Sequence, residues 1–440
     1  MINVLTNTTR IFLKDPQFTT SLYSLFLRVT SVGFSLLLTI LLARFLGVSQ
    51  FGIFAFHFSL ITLALSFMQF GIPLLILRET SKKMDTGDLT GLSKLWSWGS
   101  SMNLIYIFVI ASGLICLTIF IPERLNSYHR PLFVLSIGIA ALFSMANVNG
   151  AKIHGQGYIV LGQIQEFLAR PFCIVLGVIG LYFVEQDYFN PYSVMIIYFI
   201  SGALIFFGTI ALLKVISPKI PKSPPPWKLK GEDNKLQISI NLGLVTTLNV
   251  LNFNLGVLLI GIWHQPEETA LFRVACQGAT IIGLGLFAIG SAIAPKVAKT
   301  GGLEVRTELQ KVVRKAALLC FLVTFPVALF FIIFGKQILG FAFGEEYVGA
   351  YIALLIMTLS RLTQSTFGPV DTILMMLGYE KKLAFVLSFT VIINAVTCLV
   401  LIPRYGAVGG AISYSLSIGF FVVFSAWLAF KKLDVKLFAF

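Results

Sequence analysis

Long, uninterrupted apolar runs separated by short polar segments dominate this chain. About twenty apolar residues are needed to span the hydrocarbon layer of a bilayer. Runs of that kind fall at 20–45, 51–77, 95–121, 131–149, 159–184, 192–216, 237–262, 270–295, 312–335, 349–376, 383–402 and 407–430. The connecting segments are polar and carry Pro, Gly or Lys, as in Ile121-Pro122-Glu123-Arg124, Asn190-Pro191, Gln265-Pro266-Glu267-Glu268 and Pro403-Arg404-Tyr405-Gly406. Barrel strands are about ten residues long with dyad alternation, and these runs are longer and continuously apolar. The pattern predicts an all-α, polytopic membrane protein of about 12 transmembrane helices.

One longer polar stretch, SPKIPKSPPPWKLKGEDNKL at 217–236, reads as a cytoplasmic linker because of its prolines and lysines. It divides the chain into an N-terminal six-helix lobe (1–216) and a C-terminal six-helix lobe (237–440). An internal echo supports the division. ILLARFLGVSQFGIFAF (40–56) corresponds to LLIGIWHQPEETALFRVA (258–275), and Gly71-Ile72-Pro73 to Ile293-Ala294-Pro295, both at an offset near 220 residues. Two similar bundles in the same orientation are a transporter plan.

Composition agrees: 57% of residues are hydrophobic and 12% charged, with a mean hydropathy of +0.89. A soluble domain carries about 25% charged residues and could not hide this much apolar surface. The net charge of +14 would point to nucleic acid in a soluble protein; here it follows from placement. With the N-terminus in the cytoplasm, and with Arg44, Lys214, Arg314 and Lys315 near span ends counted with the adjoining segments, inside segments hold twenty-four Lys and Arg, outside segments five, and the spans four. This positive-inside bias supports cytoplasmic termini. Trp96, Trp98, Trp263 and Trp427 near the ends of spans read as interfacial anchors. The first sixteen residues include Arg10, Lys14 and Asp15 and do not read as a cleaved leader.

Cys116, Cys173, Cys276, Cys320 and Cys398 fall in apolar runs without metal spacing, and the four histidines are scattered. No G-x-S-x-G, H-E-x-x-H or Walker A motif occurs, so the expectation is a transporter with no cofactor, metal or catalytic residue, and with no ATP site to drive it. The informative residues are charges inside spans. Arg28, Arg170 and Arg361 fall near mid-span and Arg273 near an outer end. An arginine within the membrane normally faces a polar cavity or a partner. Glu166 lies one turn before Arg170, which offers an internal ion pair, and Arg273 can snorkel outward. Arg28 and Arg361 have no acidic residue within one turn and are the better candidates for holding an anionic headgroup. Asp371, after the Gly368-Pro369 break, can pair with an arginine, cap the broken helix or titrate during transport. Asn249, Asn252 and Gln364 offer donors and acceptors for sugar hydroxyls, or equally for interhelical hydrogen bonds.

Three stretches carry a family resemblance: LFLRVTSVGFSLLLTILLARFLGVSQFGIFAF (25–56), PLLILRETSKK (73–83) and GAVGGAISYSLSIGF (406–420). With the helix count, they make the chain resemble the bacterial polysaccharide exporter, or O-antigen flippase, family. That family belongs to the superfamily of multidrug, oligosaccharidyl-lipid and polysaccharide exporters. The resemblance implies two lobes around a central cavity and alternating access in the bacterial cytoplasmic membrane. It implies a polyprenyl-pyrophosphate-linked oligosaccharide moved from the inner to the outer leaflet, with membrane lipids and other polysaccharide-assembly proteins as partners and no nucleic acid. An ion-coupled multidrug exporter of the same superfamily is the first alternative. A membrane glycan polymerase or transferase is the second; the short outside segments and missing catalytic carboxylates count against it.

Overall fold

The computed structural model describes residues 16–119, 126–184, 188–217, 235–299 and 306–433. The helices in chain order are α1 (Pro16–Gln69), α2 (Ile72–Asp85), α3 (Leu89–Ile119), α4 (Asn126–Gly155) and α5 (Ile159–Ile164). A π-helical turn (Gln165–Ala169) leads into α6 (Arg170–Val184), followed by α7 (Pro191–Ile216), α8 (Lys235–Trp263), α9 (Pro266–Lys299) and α10 (Arg306–Phe343). A 3₁₀ turn (Glu345–Ala350) precedes α11 (Tyr351–Phe367), α12 (Val370–Met376) and α13 (Glu380–Leu433). Most of the 217–236 linker and the Ile121–Arg124 segment lie outside the described residues.

The described residues of every predicted span are built of helix, with breaks inside 51–77 and 349–376. Among the described residues, nine helical segments are long and apolar enough to cross a bilayer. Two of them are double. α1 and α13 each run for 54 residues, about 80 Å at 1.5 Å per residue, against a hydrocarbon layer of about 30 Å. Each contains one non-helical glycine near its middle: Gly47 (φ 72°, ψ 169°) and Gly406 (φ 50°, ψ −126°). A single glycine at positive φ therefore replaces each loop that the sequence predicts there, a conformation open to Gly at little steric cost. α11, with 17 residues, completes twelve crossings. The chain is a multi-pass, all-α membrane protein.

The second predicted span, 51–77, breaks early. Phe70 and Gly71 take φ of 22° and 76°, and Pro73 opens α2. α2 is amphipathic: Ile72, Leu75, Ile76 and Thr80 are buried, while its last turn carries Lys82 and Lys83. Ile72 and Ile76 pack with Leu92, Leu95, Trp96 and Val148. Two expected interfacial tryptophans are thereby corrected. Trp96 and Trp98 are buried, and the Trp96 indole N–H donates to the Thr80 hydroxyl at 3.0 Å. Trp263 and Trp427 remain exposed.

The described residues group into two compact units. One takes in α1 up to Leu38, Phe67–Tyr188 and Tyr192–Ile240; the other takes in Thr39–Ser66, Phe189–Pro191 and the chain from Asn241. The middle of α1 thus belongs with the C-terminal helices. The Arg44 guanidinium donates from Nε to the Ala342 carbonyl at 2.8 Å and from Nη2 to the Phe341 carbonyl, satisfying acceptors left open at the end of α10. The Tyr347 hydroxyl donates to the Ala43 carbonyl at 3.1 Å. A Cβ on Gly52 would lie 1.8 Å from the Pro266 carbonyl oxygen, so only glycine permits that backbone approach. At the Gly406 kink, the Ala407 N–H donates to Glu268 Oε2 at 2.7 Å.

Asp88 starts α3. Its Oδ1 accepts from the Gly91 N–H at 2.8 Å and its Oδ2 from Lys83 Nζ at 3.0 Å, an N-cap with an added ion pair. The Gly91 N–H first, then Lys83, hold the carboxyl at about 2 against an ordinary 3.8. A lowered folded value stabilises above the unfolded value and stops doing so as pH falls toward about 2. Asp88→Ala should lower the melting temperature in detergent near neutral pH. The gap to the wild type should close as pH is brought down from about 4 to about 2; a gap independent of pH would contradict this account of the cap.

Candidate functional site

In the C-terminal unit, the helix break brings five of the sequence-selected residues to one cavity of about 290 Å³: Asn249, Asn252, Arg361, Gln364 and Asp371. Gly368 takes φ 73° and ψ −166°, ending α11, and a Cβ there would lie 3.0 Å from the Ala317 Cα. Pro369 then starts α12, and Asp371 stands in its first turn on the cavity wall. A carboxylate is favoured at a helix N-terminus. Among the described residues no ion pair joins Asp371 to Arg361. Asp371 thus stands at the start of the short helix that follows the break, facing the cavity.

Arg361 projects from α11. Its Nη1 donates to Gln364 Oε1 at 2.8 Å, its Cζ lies 5.5 Å from the centre of the Tyr414 ring, and its Nε is buried without a hydrogen-bond partner. Tyr414, Thr390 and Thr372 also line the cavity and were not singled out from sequence. Tyr414 sits in the GAVGGAISYSLSIGF stretch, where it reads as one more apolar-span aromatic.

The amides differ in how far they are committed. Asn252 is buried; its Oδ1 accepts from Asn394 Nδ2 at 2.9 Å and from the Ser417 hydroxyl at 3.3 Å. Asn394 Nδ2 also reaches the Asn252 carbonyl at 2.8 Å. Asn249 is exposed to the cavity and donates only to the Val245 carbonyl one turn back, at 2.9 Å. Arg273 does not line the cavity; it lies with Cζ 4.9 Å from the Phe58 ring centre in the same unit.

The N-terminal unit holds the other arginines, around the π turn. Arg170 Nη2 donates to Asn147 Oδ1 at 2.8 Å, and its Cζ lies 4.0 Å from the Phe143 ring centre. Its Nε is buried without a partner. The expected Arg170–Glu166 ion pair is corrected: among the described residues none forms, and Glu166 is exposed. Gln165–Ala169 is π-helical, and Arg170 turns instead to Asn147 and the Phe143 face. Glu166 still acts on both Arg170 and Arg28 through its charge. Arg28 is half-buried with Cζ 5.2 Å from the Phe167 ring centre.

A further cation escapes the sequence reading. Lys152 counts there as an inside-loop residue, but α4 continues through it and buries it. Its Nζ donates to the Ser100 hydroxyl at 2.7 Å and to Asn149 Oδ1 at 3.4 Å, and lies 5.9 Å from the Trp96 ring centre. Among the described residues no ion pair reaches it.

The sequence matches the polysaccharide biosynthesis protein family over residues 20–301, and MatE over 242–400. A probable low-salt glycan biosynthesis flippase, Agl15 of Haloferax volcanii, is 22% identical over 398 residues, covering 90% of this chain and 79% of that protein. An inward-facing multidrug resistance MATE family transporter of the MOP superfamily superposes with a TM-score of 0.74 at 12% identity, over 92% of this chain and 94% of that one. The lipid II flippase MurJ in an inward closed conformation gives 0.69 at 13% identity, over 93% and 87%. At these identities the structures establish the shared fold.

The amide contrast is testable. Asn252→Ala removes an acceptor from a buried network and should destabilise by about 1–3 kcal/mol, read as a lower melting temperature. Asn249→Ala, exposed at the cavity surface and bonded only to the Val245 carbonyl one turn back, should leave melting within about 0.5 kcal/mol of wild type. Equal losses would place Asn249 in the scaffold too.

Proposed function

This chain belongs to the polysaccharide biosynthesis protein family, and we propose that it is a flippase for a lipid-linked oligosaccharide. It carries a polyprenyl-pyrophosphate-linked glycan from the inner to the outer leaflet by alternating access of two six-helix lobes joined at 217–236. It acts as a transporter rather than an enzyme, with both termini on the cytoplasmic side.

One observation carries the reading. Arg170, Arg361 and Lys152, the last in the final turn of α4, donate hydrogen bonds to neutral groups, Asn147, Gln364 and Ser100. Glu166 and Asp371 act on the arginines only through charge, without an ion pair among the described residues. Their positive charge is supported but not cancelled, and arginine's planar donors suit phosphate oxygens. Arg28, over Phe167, adds a fourth cation. Asn249 and Gln364 at the C-terminal cavity provide amides for sugar hydroxyls. The likeness to a glycan biosynthesis flippase agrees with this choice of cargo.

The second reading is an ion-coupled multidrug exporter. It is favoured by Asp371 in the cavity and by the MatE match over 242–400. A cationic drug would need the carboxylate and be repelled by the arginines.

The test is surface glycan export in cells whose own flippase is deleted. Arg28→Ala and Arg361→Ala should each cut export about tenfold or more, roughly the loss of one charge-assisted contact, with membrane levels unchanged. Arg→Lys should restore part, because lysine keeps the charge and loses the planar fork. Full export by both alanine variants removes the anion-cradle reading. Loss with Asp371→Asn alone turns it toward the drug exporter.

A further inference from the structure

The C-terminal cavity has an apolar neighbour. Gln364 and Ile418 line both it and a second hollow of about 340 Å³ between α11 and the second half of α13. The walls of this hollow are almost wholly hydrocarbon. Its outer lips are Leu359, Leu416 and Val423, exposed by 49%, 52% and 61%. The hollow therefore opens sideways, toward the hydrocarbon layer.

Of its three hydroxyls two are occupied, and the third, Ser360 Oγ, is buried without a partner. Thr363 donates to the Leu359 carbonyl at 2.9 Å and Ser415 to the Ile356 carbonyl at 3.4 Å. Water needs two to four polar partners to remain in such a site, and a sugar needs uncommitted donors and acceptors. Hydrocarbon needs neither. Gly419 also lines the hollow: a Cβ built there meets nothing within 4 Å. Glycine is unfavourable inside a helix relative to alanine, and Gly419 has no positive φ that would require it. What its missing side chain provides is open depth in the groove.

We propose that this groove seats the hydrocarbon chain of the transported lipid while its anionic headgroup lies at Arg361. The assignment rests on the reading of the cavity given above. The occupant is a polyisoprenyl-type chain joined to phosphate, because the two hollows share a wall and differ in polarity as the two ends of such a molecule do. The chain stays in hydrocarbon throughout, and only the head enters the polar cavity.

Binding to purified full-length protein in nanodiscs tests this with two probes, geranylgeranyl pyrophosphate and inorganic pyrophosphate. Gly419→Trp fills the groove and leaves Arg361 intact. It should weaken geranylgeranyl pyrophosphate at least about tenfold by denying the chain its apolar contact, with inorganic pyrophosphate unchanged. Gly419→Ala should bind both probes as the wild type does. So should Gly113→Trp, which places the same bulk at another glycine with nothing within 4 Å. Arg361→Ala should weaken both probes.

Wild-type affinity of Gly419→Trp for geranylgeranyl pyrophosphate overturns the groove. So does native mass spectrometry showing a phospholipid that stays bound under saturating probe and is lost only in Gly419→Trp. Unchanged pyrophosphate binding in Arg361→Ala instead overturns the headgroup reading, while the Gly419→Trp comparison still decides the groove.

Discussion

Hydrocarbon offers a peptide group no partner except another peptide group. Leaving one unpaired there costs several kcal/mol, so this chain stays helical wherever it crosses and departs from the helix at few places. Gly47 and Gly406 turn the chain with one residue each. Gly71 and Gly368 end one helix just before the next begins. Gln165–Ala169 widens a single turn. Three of these departures lie beside charged groups, and Glu268 stands at the Gly406 kink. The Gly368 break delivers Asp371 to a cavity wall. The π turn lies between the surroundings of Arg28 and Arg170 and carries Glu166 and Phe167.

The buried cations follow one recipe. An intramembrane arginine or lysine costs about 2.5–3.5 kcal/mol on insertion scales. Here each is offset by a neutral oxygen and an aromatic face: Asn147 and Phe143 for Arg170, Gln364 and Tyr414 for Arg361, Ser100 and Trp96 for Lys152. Carboxylates would offset the cost as well, but they would also erase the charge. Neutral holders keep the cation folded in and leave its field intact, as a site for a negative headgroup requires.

The spans were legible because a crossing imposes about twenty apolar residues whatever its neighbours are. The break at Gly368-Pro369 was legible because that pair alone stops a helix. Other features depend on packing and were not. α2 continues the apolar run of 51–77, and only its contact with α3 and α4 shows which face is buried. Trp96 reads as an anchor until Thr80 is found against it. Lys152 reads as a loop residue because the sequence does not announce a helix that extends past the apolar run to bury its own lysine. The Arg170–Glu166 pair does not form because Arg170 donates instead to Asn147 on α4, a neighbour that helix periodicity does not reveal.

The C-terminal cavity then presents a charge question that local structure answers. It holds one arginine and one aspartate, formally balanced. The two are not equally compensated. Asp371 stands in the first turn of α12, where the unpaired N–H groups and the helix dipole supply positive partial charge. Arg361 has Gln364, the Tyr414 face and a buried Nε with no acceptor. Each feels the other's charge, and the carboxylate has in addition the backbone N–H groups that the Gly368 break exposes. One glycine at positive φ thus sets where the acid stands and, on the anion-site reading proposed above, leaves the guanidinium as the less compensated charge of the two.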